Sequence, residues 1–437
     1  MGDPRSKSRT IAIVLLGLFS WALGCTKGTD SPKKPSSEIG NIVATHDGGD
    51  GVTDTELLLG QTAAYSGPLS PRVVDAWRGA MTAFSVANDQ GGVNGRKIKL
   101  VLEDDAYDPE KARAAVLRLF DAKGVFALFG GLGASVLPQT LPVLRAYHDQ
   151  RDVFAFSYLS GPEVLIQKPN VDVYFTTRAT YEKEAIVAVE ALVSAGKKRF
   201  GGFFRAPSFS HPGYEKALKA KGLEFVLVRN VSHAQTWESS TAADVAAFRA
   251  ANVDAIIAAG PNQPCTALIR DARKSGMTVP IALFSFADPD HASELLLEEQ
   301  RKSGAKLTTN IITTTIVPLY SDTSIPLVSE YRRAIDKYKL TAPVGIGDGK
   351  YRPSSPYNFD SLEGYLNATL FLRVLEKNGR ALTRKSFYEA AEAMGKFDVG
   401  LGVPTEFSAS RHQAVDQVWV VSLTAEGWKP LGPGAVK

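Results

Sequence analysis

NDQGGVNGRKIKLVLEDDAYDPEKARAAVLRL, Asn88 to Leu119, compresses a helix end, a turn, a strand, an acidic loop and a capped helix into one run. Gly91 and Gly92 stop the preceding helix, since glycine takes the left-handed conformation needed past a helix end. Ile98, Leu100 and Leu102 recur at every second residue, a strand buried mainly on one face. Asp108 stands where an N-cap oxygen is needed, with Pro109 at the first helical position. Ala112, Ala115, Val116, Leu119 and Phe120 follow at helical spacing and form one apolar stripe. The run reads as part of a βαβ unit.

The same alternation continues outward. A first set of strands is expected at Leu57–Thr62, Ile98–Glu103, Val125–Gly130 and Val153–Ser157, with helices near 72–90, 109–122 and 137–149. A second set follows at Phe200–Phe204, Glu224–Val228, Ala255–Ala259 and Ile281–Phe284, with helices near 180–194, 212–221, 241–250 and 264–275. Strands alternating with helices predict an α/β fold with largely parallel sheets. Two such series in tandem predict two lobes of similar architecture. Residues 311–435 add a strand at Ile311–Val317, helices near 326–339, 359–377 and 383–394, and late strands around Thr405–Phe407 and Val415–Val421.

The N-terminus reads as a targeting segment. Arg5, Lys7 and Arg9 precede an apolar run, Ile11–Leu23, that is too short to span a bilayer but suits a secretory signal. Ala22-Leu23-Gly24-Cys25 resembles a bacterial lipobox, with Ala22 where leucine is favoured, so Cys25 is the expected lipidation site and 1–25 the signal segment. Residues 26–53 are rich in Ser, Thr, Lys, Pro and Gly and read as a flexible tether. The chain has two cysteines. With Cys25 lipidated, Cys265 has no partner, and its setting suits a small buried apolar residue. The net charge of +4 is small for 437 residues and includes the basic N-terminal segment, so nucleic acid is not an expected partner.

Several ordered motifs resemble one family. Asn88, Gly91-Gly92-Val93, Gly95, Ile98, Leu100, Asp104-Asp105, Asp108-Pro109 and Ala112 match the pattern of the extracytoplasmic solute-binding proteins of branched-chain amino acid and amide ABC importers. The likeness recurs in IIAAGPNQPCTALIRDARKSGMTVPIALFSF (256–286), in IPLVSEYRRAI (325–335) and in DSLEGYLNATLFLRVLEKNGRALTR (360–384), and runs from about Leu57 to Val421. It implies a type I periplasmic-binding-protein fold: two doubly wound parallel-sheet lobes joined by a three-strand hinge. The implied crossings lie near Thr176–Thr180, Thr313–Val317 and Pro404–Phe407. The implied lobes are 54–178 with 316–404, and 179–315 with 405–437. Implied partners are a small-molecule ligand and the permease subunits in the membrane, with no cofactor.

Open parallel sheets bind ligands beyond the carboxyl ends of their strands. In the first lobe the candidates are Ser66, in an SGP turn; Ser135, in the glycine-rich run Phe129–Thr140; and Ser160 with Gly161, which the resemblance makes partners for a ligand carboxylate. Tyr158 either walls the pocket or packs under its loop. In the second lobe they are Arg205, Tyr214, Asn262, Ser285 and Phe286. Arg205 would favour an anionic group if it faces the cleft, or is a solvated strand end if it does not. Where the family often places a carboxylate to grip an α-ammonium, this chain has Ser285-Phe286.

Other chemistries lack support. Gly131-x-Gly133 is missing the third glycine of a dinucleotide site, and Ser135 lacks the flanking glycines of a nucleophile elbow. The six histidines show no metal-ligand spacing. Asp104, Asp105 and Asp108 are expected to shape a loop and cap a helix. The reading is a lipid-tethered binding protein that performs no chemistry. A sensory binding protein serving a membrane receptor, and an exported hydrolase using Ser135, are the rival readings.

Overall fold

The computed structural model describes residues 50–437 except 207, 233, 234, 348, 350, 352, 354, 433–435 and 437. The signal segment and Cys25 lie outside the described residues, as does the tether up to residue 49.

The first sheet begins with β1 (Glu56–Ala63), α1 (Ser70–Asp89), β2 (Lys97–Asp104) and α2 (Pro109–Leu117). It continues with β3 (Leu128–Leu132), α3 (Leu137–Arg151), β4 (Ala155–Leu159) and β5 (Tyr174–Phe175). Its order is β2-β1-β3-β4-β5, all parallel. Asp108 caps α2 by accepting the Lys111 N–H at 2.9 Å. β3 and β4 are buried along their whole length because helices cover both faces, whereas β2 is an edge strand with only Ile98 of its alternating residues fully buried.

The second sheet follows with α4 (Tyr181–Ser194), β6 (Phe200–Arg205), α5 (His211–Ala220), β7 (Phe225–Val231), α6 (Ala242–Ala250) and β8 (Ala255–Ala259). Next come α7 (Asn262–Lys274), β9 (Ile281–Leu283), α8 (Pro289–Ser303) and β10 (Ile311–Thr315). Then α9 (Pro326–Tyr338), α10 (Phe359–Asn378) and α11 (Arg384–Glu392) return to the first sheet's layer, where α10 and α9 pack on α1. The chain closes with β11 (Gly395–Phe397), β12 (Thr405–Phe407), β13 (Trp419–Thr424) and β14 (Gly427–Pro430). The second sheet runs β14-β13-β10-β9-β8-β6-β7, parallel from β10 to β7 with β13 and β14 added antiparallel; β11 and β12 form a separate ribbon.

Both sheets therefore carry the same winding. Taken in order of appearance, the first five strands of each are arranged 2-1-3-4-5, with a reversal between the first and third. Such a reversal splays the adjoining loops apart and opens a crevice at the carboxyl ends. The segment after β5 is tied to the late chain: the Thr176 N–H donates to the His412 carbonyl at 2.7 Å, and the Ala414 N–H to the Thr176 carbonyl at 2.8 Å.

Several sequence expectations need correction: the strands expected at Val153–Ser157 and Val415–Val421 lie at Ala155–Leu159 and Trp419–Thr424, and three further differences have visible causes or signals. The strand expected at Val125–Gly130 starts at Leu128, because Val125 and Phe126 form a buried lead-in whose carbonyls are taken by Arg384. The strand expected at Glu224–Val228 starts one residue later and runs on to Val231. Helix α8 was not expected. It begins at an Asp-Pro pair like that of α2, with Asp288 accepting the His291 N–H at 3.2 Å.

Candidate functional site

The site is built from the loops at the two reversals. On the first sheet these follow β1, β2, β3 and β4. Tyr65 donates its hydroxyl to Gln61 Oε1, and Gln61 donates its amide to the Gly130 carbonyl at 2.6 Å, which pins the β1 loop to β3. Beyond β2, buried Asp105 accepts the Thr62 hydroxyl at 2.9 Å and the Tyr107 N–H at 2.8 Å; burial pushes its carboxyl up to about 6. Asp104 accepts the backbone N–H of Ser66 at 3.2 Å and of Ala106 at 2.9 Å. These acids shape the loop, as their spacing predicts.

The glycines after β3 make room for a neighbouring side chain. Gly133 sits at φ 91°, and a Cβ there would lie 2.0 Å from the Tyr107 ring. The space is filled by Tyr107, which lies on the loop and leaves Ser135 at its tip, half-buried in the short 3-10 turn Ala134–Val136. Tyr158 is packed beneath this loop, with its hydroxyl donated to the carbonyls of Gly133 at 3.0 Å and Leu132 at 3.2 Å.

The principal contact is between the sheets. Ser135 Oγ, after β3, accepts from Arg205 Nη1, at the end of β6, at 3.3 Å. The two crevices thus meet through one candidate residue from each lobe. A second contact joins Ser160 Oγ to the Tyr181 hydroxyl at 2.7 Å, and the Gly161 carbonyl accepts the Tyr181 N–H at 2.7 Å. Ser66 stays on the first-sheet side, bonded to Asp104.

The second-sheet residues carry unmet hydrogen-bonding capacity. Arg205 Nε, the Tyr214 hydroxyl and Asn262 Oδ1 are buried and have no hydrogen-bond partner among the described residues. Tyr214 is 1% exposed, and burial lifts its hydroxyl well above the usual phenol range. Asn262 Nδ2 donates to the carbonyls of Ala287 and Asp288 at 2.8 Å each, which fixes the amide so that Oδ1 is the unmet acceptor. A buried polar group without a partner costs about 1–3 kcal/mol, so each of these three has hydrogen-bonding capacity to offer.

Ser285 and Phe286 belong instead to a charged cluster that the sequence reading missed. Glu184 Oε1 accepts Ser285 Oγ at 2.8 Å and Arg178 Nη2 at 3.2 Å; its Oε2 accepts the Ser285 N–H at 3.2 Å and Thr314 Oγ1 at 2.7 Å. Arg178 also reaches Glu363 at 3.4 Å. Arg72 pairs with Asp360, donates to the Phe286 carbonyl at 3.3 Å, and lies 4.8 Å over the Phe286 ring. One signal was available: Glu184 lies in register with Ala188 and Leu192 on the buried face of α4, where an acid needs a reason. Among the described residues no group of acids, histidines and cysteines is arranged to hold a metal, and no helix is long and apolar enough to cross a membrane.

Comparison with known proteins agrees with this architecture. The sequence profile described as periplasmic binding protein matches residues 57–427. An amino acid binding protein of Pseudomonas aeruginosa is 25% identical over 227 residues, covering 51% of this chain and 59% of that protein. The Leu/Ile/Val-binding protein of Escherichia coli is 23% identical over 231 residues with the same coverage, so the chain spans about three fifths of the length of these relatives. Among solved structures, a possible leucine/isoleucine/valine-binding protein from Rhodopirellula baltica superposes with a TM-score of 0.72 at 26% identity, over 87% of this chain and 97% of that one. A branched-chain amino acid ABC transporter protein from Thermus thermophilus with bound valine gives 0.73 at 16% identity, over 87% and 96%, a likeness of fold. The chain belongs to the periplasmic binding protein family and resembles its type I, Leu/Ile/Val-binding-protein-like members.

Proposed function

We propose that this chain is the extracytoplasmic solute-binding subunit of an ABC importer and captures an amino acid, amide or small carboxylate-bearing solute between two closing lobes. The lobes are 54–178 with 316–404, and 179–315 with 405–437. The observation that supports the reading is the Ser135–Arg205 contact, because it joins the carboxyl ends of two sheets with the same winding. A solute entering there would meet hydroxyls and amides from the first lobe and Arg205, Tyr214 and Asn262 from the second. Closure then buries it and presents a shape that the permease accepts. The mechanism is binding without chemistry. Transport energy comes from ATP hydrolysed by other subunits. Export and lipidation at Cys25 would hold the protein beside that permease.

The test has two parts. A thermal-shift screen over amino acids, amides and carboxylic acids should find a stabilising solute; a ligand at 100 times its Kd adds about 2.7 kcal/mol. Vesicles holding the cognate permease and ATPase should then take up that solute only when this protein is added. Uptake without it would remove the importer reading.

A further inference from the structure

We propose that the cleft selects a carboxylate that bears no α-ammonium group, with the Arg205 guanidinium as its anion-binding residue on the second sheet. This rests on the solute-binding reading and narrows its ligand class.

An α-amino acid needs two complementary charges. The negative end is provided for. Arg205 stands at the reversal between β6 and β8, and among the described residues it has no acidic partner; its side chain donates to the neutral Ser135 hydroxyl. Its Nε is buried and, among the described residues, unpartnered. A carboxylate beside Ser135 would take the Nε–H and leave the serine hydroxyl free to turn and donate, a charge-assisted arrangement stronger than the pair it replaces.

The positive end is not provided for. Glu184 is the fully buried acid behind Ser285, and it already receives four donors, from Ser285 twice, Arg178 and Thr314, which fills both oxygens. Asp360 is held by Arg72, and Glu363 faces Arg178. Asp288 caps α8. The unmet acceptors on this side are Asn262 Oδ1 and the Tyr214 hydroxyl, both neutral and suited to a hydroxyl or amide N–H. Burying an ammonium without a counter-charge is strongly unfavourable, so an amino acid would lose more on entry than it recovers. Asp104, beside Ser66, and Glu163, which follows Gly161 and accepts the Glu182 N–H, remain on the first-sheet side and are where an ammonium would have to go if the assignment is wrong.

Calorimetric titration of the full chain with matched pairs tests this: 4-methylpentanoate against leucine, and 3-phenylpropanoate against phenylalanine. At least one acid should bind ten-fold or more tightly than its amino counterpart. Arg205→Gln should weaken that acid at least ten-fold and Arg205→Lys less, both melting near the wild-type temperature. Amino acids binding as well as or better than the acids would overturn the proposal while leaving the solute-capture reading intact. An acid whose affinity is unchanged in Arg205→Gln would overturn the role of Arg205. Failure of acids, amino acids and simple amides alike would remove both readings together.

Discussion

Asp290, in the first turn of α8, accepts the backbone N–H of Phe359, the first residue of α10, at 2.8 Å. Its other oxygen accepts the Tyr320 hydroxyl at 2.9 Å. One carboxylate thus ties a helix of the second sheet to the head of the long helix that packs on α1. It stands among further acids. Burial is the largest cause in each case: it lifts Asp290 well above the carboxylate range, Asp288 to about 7, Glu363 to about 7 and Asp75 to about 6.

A pH dependence follows with a definite sign. A carboxyl whose pKa is higher folded than unfolded binds more protons in the folded state, so its effect lowers stability as pH rises between the two values. From about pH 5 to pH 8 the melting temperature should therefore fall. Glu363→Gln should flatten this slope, since it removes one contributor and leaves Arg178 bonded to Glu184. Melting curves at half-unit intervals test it. A melting temperature that climbs across this range would contradict the assignment.

The α1–α10 interface should tolerate no added carbon. A Cβ on Gly79 would lie 1.7 Å from the Ser361 carbonyl oxygen, and one on Gly364 would lie 1.9 Å from that of Ala76. The obstacles are backbone atoms, which cannot turn aside. Gly79→Ala and Gly364→Ala should each destabilise by about 3 kcal/mol or more, at the upper end of overpacking effects. Denaturant unfolding measures this, and a cost below about 1 kcal/mol would mean that the helices stand further apart.

The two cleft serines should differ. Ser135 is half-buried at a loop tip, whereas Ser160 is buried against Tyr181. Ser135→Ala should weaken an anionic ligand roughly ten- to a hundred-fold, as expected for one bond to a charged group, with little change in stability. Ser160→Ala should also lower affinity, but with a loss of about 1 kcal/mol in stability, because the Tyr181 hydroxyl is left without its partner. Calorimetry and unfolding on both variants separate the effects. Unchanged affinity in both would put the ligand elsewhere.

The cysteines should behave as opposites. Cys25→Ser should release the protein from the membrane fraction, and a wild type recovered without lipid mass would refute the anchor. Cys265 is buried and unpaired, and burial raises its thiol to about 12. Reducing agent should leave the melting temperature unchanged, and the folded protein should resist thiol reagents that label it once unfolded.

What was legible in the sequence was local. Asp108-Pro109 announced α2 because a cap and a fixed φ act within four residues, and the alternation of strands with helices announced two parallel sheets. Asp288-Pro289 carried the same signal for α8, but the charged run after it hid the apolar face formed by Ala292 and Leu296. The candidate list reached Ser135 and Arg205 separately, since loop ends can be read one at a time. Their contact could not be read, because it spans two sheets and 70 positions. Glu184, Arg178 and Glu363 were missed for the same reason: what satisfies a buried charge is set by tertiary neighbours.

The entry of the chain into the fold bears on how the molecule is presented. Arg384 holds the Asp50 carboxylate and donates to the carbonyls of Val125 at 3.0 Å and Phe126 at 2.7 Å, just before the first residue of β3. Ser135 lies past the other end of that strand. Five residues of strand advance roughly 16 Å, so whatever pulls on the chain ahead of Asp50 is applied about that far from the crevice, at the opposite ends of the strands. A force entering at Asp50 would bear on the rear of the first sheet and leave unstrained the groups that would hold a solute.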